Sequence, residues 1–336
     1  MSDKSNPLVI PALFCGYTTD TLLGQGSFCS VYKAAKDGKE YALKCCAVGL
    51  GNERNVGMLK SEIEILAKIQ AASTKYTTGN IASLDAVSKF RSNGVCNVPK
   101  CHEILETDCV IAAVLNLIPG KELFDVILDR HMVVEGVALG LTDSEAKEIV
   151  FQLLTTLCFL HGEGIAHGDL KLENVMVDFL KGTEKNEKLG ITLIDFGLSS
   201  VQSTALNPDE NSASFIVKGS EPYLSPQAAL RTTSSALKND IWALGVLTFA
   251  ILTSRMPFDV DQNTLRPGNV LQRSRTILRR IAVGTFQWTD LECREISVEA
   301  RGIVGEMLVR DPEKRKSALE LLKNPWLKNL ADKCIN

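Results

Sequence analysis

The chain has 336 residues, of which 45% are hydrophobic and 23% charged, with a formal net charge of −3. This is the composition of a soluble globular protein. So small a charge gives no field for nucleic acid or an anionic membrane surface, and partners of those two classes are not expected. Residues 1–13 lack the basic start and apolar core of an export signal, and no uninterrupted apolar run reaches membrane-spanning length. The ten cysteines include no CxxC pair. Cys96, Cys101, His102 and Cys109 lie close together, but their spacing fits no zinc pattern, and free thiols in a reducing cytosol or nucleus are expected.

The first third reads as strands around one helix. Residues 21–32 form a β run broken by a Gly turn, and residues 40–46 an apolar run of strand length. Residues 60–69 have helical period instead. Leu59, Ile63, Leu66 and Ile69 make one stripe, with Glu62 on it and Glu64 on the far side. Ser, Thr, Asn and Gly crowd residues 71–94, which read as an inserted loop. Two strand-like runs follow, 98–105 and 109–118, punctuated by Pro119-Gly120. Thr142-Asp-Ser-Glu145 is a capping box that opens a helix over 146–160. A loop and two short strands surround residues 164–196, and further helical patterns occupy 240–252, 297–308 and 316–322. A β-rich first third before a helical remainder predicts two lobes joined near residues 116–120.

The chemistry concentrates in a few segments. Gly24-Gln25-Gly26-Ser27-Phe28 places glycines in a turn between strands, where backbone N–H groups can meet a phosphate chain. Lys44 in an apolar strand, followed by the inward Glu62, forms an ion pair that aims an ammonium. His167-Gly168-Asp169-Leu170-Lys171-Leu172-Glu173-Asn174, and then Asp195-Phe196-Gly197, supply what phosphoryl transfer requires. These are a carboxylate near the acceptor (Asp169), a cation near the moving phosphate (Lys171), and hard oxygen ligands for Mg²⁺ (Asn174, Asp195).

With these residues in place the chain resembles the eukaryotic protein kinase family over residues 17–327. Gly219-Ser-Glu-Pro-Tyr-Leu-Ser-Pro-Gln227, Asp240-Ile-Trp-Ala-Leu-Gly245 and Asp311-Pro-Glu-Lys-Arg315 extend the match. The resemblance implies a bilobal α+β fold, with an N-lobe over 17–118, a C-lobe over 119–327, an N-terminal extension 1–16 and a short tail 328–336. It implies ATP and Mg²⁺ as cofactors and protein substrates phosphorylated on Ser or Thr, since Asp-Leu-Lys at 169–171 is the serine/threonine form. Leu23 joins the glycine turn over the nucleotide. Val31, Ala42 and Met176 sandwich adenine, Leu115 is the gatekeeper, and Asn116 and Ile118 form the hinge. Glu122 and Glu173 match positions that read basic residues upstream of the acceptor in calmodulin-kinase-like members, while Ala250 stands where strongly basophilic relatives carry another Glu. The alternative is a pseudokinase, an interaction module with an inert fold.

The sequence also departs from the pattern. Gly168 replaces the usual Arg and offers no guanidinium to a phosphorylated loop, and Ile216 stands where many relatives carry the phosphorylated Thr. Gln227 replaces a Glu, so its carbonyl is expected to accept from Arg315. Cys29 occupies a common Gly position, as either an activated thiol or an ordinary one. The arginines at 266, 273, 275, 279 and 280 belong to an inserted segment, best read as a solvated helix face.

Overall fold

Apolar alternation and tight turns build the upper lobe. The computed structural model describes residues 8–26, 29–78, 97–180, 188–202, 219–260 and 270–335. Strands β1 (Leu13–Phe14), β2 (Tyr17–Gln25), β3 (Ser30–Lys36), β4 (Lys39–Ala47), β5 (Cys101–Glu106) and β6 (Val110–Asn116) form one antiparallel sheet in the order β1-β2-β3-β4-β6-β5. Asp37 and Gly38 join β3 to β4 with φ of 51° and 73°. Two successive left-handed residues match the sheet's twist, which is why Asp-Gly suits this hairpin. The sheet starts earlier than position 17. β1 pairs with β2, Ile10 and Phe14 are buried, and Leu8 N donates to Ser30 Oγ at 3.2 Å. Residues 8–16 are therefore part of this lobe.

Helix α1 (Glu53–Thr78) packs beneath the sheet. Its buried stripe contains Leu59, Ile63, Leu66 and Ile69; Glu62 is 4% exposed, while Glu64 lies at the surface. The helix is longer than the periodicity indicated, and the expected inserted loop is helical as far as Thr78. Ala72 is buried and extends the stripe, and Thr74 Oγ1 donates to the Gln70 carbonyl at 3.0 Å. Burial there outweighs polar composition. Residues 79–94 of that insertion lie outside the described residues.

The lower lobe begins with β7 (Lys121–Glu122) and α2 (Leu123–Arg130). The hairpin of β8 (Met132–Val134) and β9 (Val137–Leu139) follows, and then α3 (Asp143–Gly162). Thr142 caps α3 with the reciprocal Thr142–Glu145 bonds of a capping box. After β10 (Ile165–Ala166), strands β11 (Val175–Leu180) and β12 (Lys188–Leu193) pair antiparallel, and β7 adds to β11's other edge. Residues 181–187, which join this pair, lie outside the described ones. Next come β13 (Ser200–Val201), α4 (Pro226–Leu230) and α5 (Ala236–Thr253), in which every residue from Asp240 to Thr253 is buried. α5 is long and apolar enough to suit a bilayer, but here the lobe encloses it. α6 (Val270–Val283) carries Arg273, Arg275, Arg279 and Arg280 of the inserted segment, whose Arg266 lies outside the described residues, and Arg273 binds Asp259 at 2.9 Å. α7 (Asp290–Glu295), α8 (Val298–Met307), α9 (Ala318–Leu321) and α10 (Lys328–Ile335) follow, so the expected tail is helical as far as Ile335. One core cluster runs from Leu59 and Ile63 through Leu115 and Phe196 to Trp242 and Trp326, and so joins the lobes.

Candidate active site

The upper half of the site hangs on β4 and α1. Register sets Val31 opposite Lys44 and Ala42 opposite Leu115, so the residues expected at the phosphates and at adenine share neighbouring strands. Lys44 Nζ meets Glu62 Oε2 at 2.6 Å and Oε1 at 2.9 Å, and Asp195 Oδ1 at 2.8 Å. Burial opposes charge on Lys44, but the two carboxylates prevail and hold its ammonium well above the ordinary lysine range. Burial likewise opposes ionisation of Asp195, and the Lys44 ammonium outweighs it, keeping that carboxyl below the usual range. Glu62 Oε1 also accepts from Phe196 N at 3.3 Å. A single buried carboxylate thus ties helix, strand and the Asp-Phe-Gly turn together.

The lower half is built around Asp240 on α5, which is 2% exposed. It accepts from the amides of His167 at 2.8 Å and Gly168 at 2.9 Å, and its Oδ2 lies 3.0 Å from His161 Nε2. These bonds fix the loop that presents Asp169. Gly168 adopts φ +81°, and a Cβ there would stand 2.6 Å from the Leu198 carbonyl oxygen. The departure at this position therefore removes more than a guanidinium, because the loop takes a shape that glycine suits.

Asp169 is held from both sides. Its Oδ1 accepts from Ser220 N at 2.9 Å and Ser220 Oγ at 3.0 Å, and its Oδ2 pairs with Lys171 Nζ at 2.8 Å. Lys171 also reaches Ser220 Oγ at 3.3 Å. Burial opposes charge on Lys171, yet Asp169 raises its pKa overall, so the cation persists. Asn174 donates through Nδ2 to the Asp169 carbonyl at 2.8 Å and to Oδ2 at 3.3 Å. That commits the amide nitrogen and leaves the amide oxygen as what Asn174 offers a cation. With the Asp195 carboxylate this is a hard oxygen pair of the kind Mg²⁺ prefers, so the residues present fit that ion.

Most of the expected site residues converge. Lys44, Glu62 and Asp195 form one cluster, and Asp169, Lys171 and Asn174 another. Met176 pairs in register with Glu122, and the Glu122 and Glu173 carboxylates are close enough to act on each other. Asn116 ends β6 and bonds Lys100 through its backbone and its side chain, with Ile118 in the irregular stretch after it. Gly24 and Gln25 lie in β2, Leu23 is 49% exposed, and Gly26 closes on the Cys29 carbonyl at 2.9 Å. Ser27 and Phe28 lie outside the described residues, as does Ile216.

Ser220 and Asp240 were legible as motif members but not as site residues. The signal for Ser220 was its place directly after Gly219 at the start of the motif 219–227. An activated Cys29 is overturned: the thiol is partly buried against the core, and burial pushes its pKa up to about 12 despite the pull of Lys44. Gln227 does accept from Arg315 Nη2 through Oε1 at 3.0 Å.

The family described as protein kinase domain matches residues 17–327 of the chain. A calcium and calcium/calmodulin-dependent serine/threonine-protein kinase of Lilium longiflorum is 35% identical over 69% of this chain and 38% of its own length. Human serine/threonine-protein kinase H1 is 26% identical over 96% of this chain and 63% of its own length. The maternal embryonic leucine zipper kinase of Xenopus tropicalis is 30% identical over 73% and 32%. The chain spans less than two thirds of the length of each of these relatives.

Proposed function

Because the chain belongs to the protein kinase domain family, we propose that it transfers the γ-phosphate of ATP to serine or threonine of protein substrates. The observation that carries this reading is the intact pair of clusters: Lys44 between Glu62 and Asp195, and Asp169 between Ser220 and Lys171. Lys44 clamps the non-transferred phosphates, with its direction fixed by two carboxylates. Asp169 orients the acceptor hydroxyl and takes its proton, while Lys171 meets the charge of the transferring group. Asn174 and Asp195 would hold magnesium, which neutralises phosphate oxygens when bound. Similarity to serine/threonine kinases supports this acceptor class, and Asp-Leu-Lys at 169–171 agrees with it.

Substrates carry Arg or Lys a few residues before the acceptor, read by Glu122 and Glu173. The inert-fold alternative rests on Gly168 and Gln227. The first suits the loop's backbone and the second bonds Arg315, so neither removes a catalytic group.

The test is transfer of radiolabelled phosphate by the purified chain to a degenerate peptide library. Asp169→Asn is expected to retain ATP binding and lose transfer by about 10²-fold or more. Full activity in Asp169→Asn would sink the mechanism, and no transfer by the unmodified chain would favour the inert fold.

A further inference from the structure

Register places two cysteines face to face beside the nucleotide site. β3 and β4 pair Val31 with Lys44 and Ser30 with Cys45, so the next step along the ladder sets Cys29 opposite Cys46. Backbone directions fix what kind of pair this is. The Cys29 carbonyl accepts from Gly26 N at 2.9 Å, on the β2 side. Val48 N donates to the Cys109 carbonyl at 2.7 Å, on the β6 side, and Cys46, two residues earlier, directs its polar groups the same way. Neither cysteine bonds the other's backbone. They form a non-hydrogen-bonded antiparallel pair, for which Cα atoms stand about 4.5 Å apart with side chains on one face. Disulfides span Cα separations of about 4.4–6.8 Å. The two thiols lie close enough to act on each other. Neighbouring Cys45 is no competitor, because it points through the sheet into the outer core cluster while Cys46 belongs to the inner one.

We infer that Cys29 and Cys46 form a reversible disulfide that ties the exit of the glycine-rich turn to the strand carrying Lys44. With a peroxide as oxidant the balance is simple. One thiol, as thiolate, attacks a peroxide oxygen, giving a sulfenic acid and water once protons are returned. The second sulfur displaces the sulfenic oxygen as a second water. In sum two thiols and hydrogen peroxide give one disulfide and two waters. Burial keeps both thiols protonated, so the link forms slowly and under sustained oxidant. The consequence for turnover rests on the kinase reading. A turn fixed at its exit follows nucleotide in and out less freely, and product release slows.

The experiment exposes the full chain to hydrogen peroxide, blocks remaining thiols with an alkylating agent, and maps peptides by mass spectrometry. A Cys29–Cys46 peptide two hydrogens lighter than its reduced parts is expected, absent after dithiothreitol and in Cys29→Ser. The linked protein should melt a few degrees higher, since the bond constrains the unfolded chain. It should also turn over several-fold more slowly, whereas peroxide should leave Cys29→Ser and Cys46→Ala at their own untreated rates. Alkylation of both thiols after oxidation, or a link to Cys45 or Cys101 instead, overturns the site. A Cys29–Cys46 link with unchanged turnover overturns its effect on the reaction. If the untreated chain transfers no phosphate, the kinase reading fails, and the peptide map still decides the disulfide.

Discussion

Two residues show how local environment sets the chemistry at single positions. Glu122 sits where partial desolvation and the Asp125 and Glu173 carboxylates raise its pKa above the ordinary range, with Lys171 only partly offsetting them. A carboxyl that protonates at higher pH also gives up a cationic ligand at higher pH. The proposed preference for basic peptides should therefore fade as pH falls through that raised value, earlier than an ordinary glutamate would allow. Ratios of kcat/KM for peptides with and without an upstream Arg, measured against pH, check this, and Glu122→Ala should leave the ratio low and flat. Arg315 poses the converse problem, a fully buried cation whose pKa burial lowers to about 10. It donates to the carbonyls of Val309 and Lys238 at 3.0 and 2.7 Å, to Gln227 Oε1, and stacks over Trp242. Gln227→Ala withdraws a side-chain acceptor from a buried charge, so it should cost about 1.5–3 kcal/mol, read as a lower midpoint in thermal unfolding.

At the scale of elements, the loop between β10 and β11 is held by α5. Asp240 fixes two successive amides, the His167 ring lies edge-on to Phe196 at 4.9 Å, and Ser199 Oγ donates to the His167 carbonyl at 2.8 Å. The loop thus has little freedom to absorb a side chain at Gly168. Gly168→Ala should lose about 1–2 kcal/mol from left-handed backbone alone, with the Leu198 clash added. Circular dichroism melting reads that loss. A variant as stable as the parent would show that the turn readily changes shape. α1 illustrates the opposite influence: a polar run that looked like loop stays helical through Thr78 because Ala72 finds a place under the sheet.

For the whole molecule, two cores do different work. The larger joins the lobes through α1, β6 and the Asp-Phe-Gly turn, so the upper cluster's geometry depends on how the lobes pack. The smaller lies on the outer face of the sheet, where Ile10 and Phe14 cover Leu43, Val110 and Val114. Phe14 is 6% exposed, and Phe14→Ala should cost about 3 kcal/mol or more. The effect should appear in a thermal scan and in faster proteolysis of the upper lobe. Unchanged stability would mean that residues 8–14 rest on the sheet without supporting it.

What the sequence determined by itself is the chemistry and its order along the chain. Lys44, Glu62, Asp169, Asn174 and Asp195 were readable because phosphoryl transfer needs those residue types between apolar strands, and the Thr142 cap because its bonds are local. Only the tertiary structure decided what depends on distant neighbours. Ser220 becomes a partner of Asp169 across 51 positions of chain, and Asp240 becomes the support of a loop 72 residues away. Cys29 becomes a half-buried thiol opposite Cys46, where its turn position alone left an activated or an ordinary thiol open. Each of these turns on burial and on which backbone group points where. Both are properties of packed elements, and a pattern of side chains along one segment carries neither.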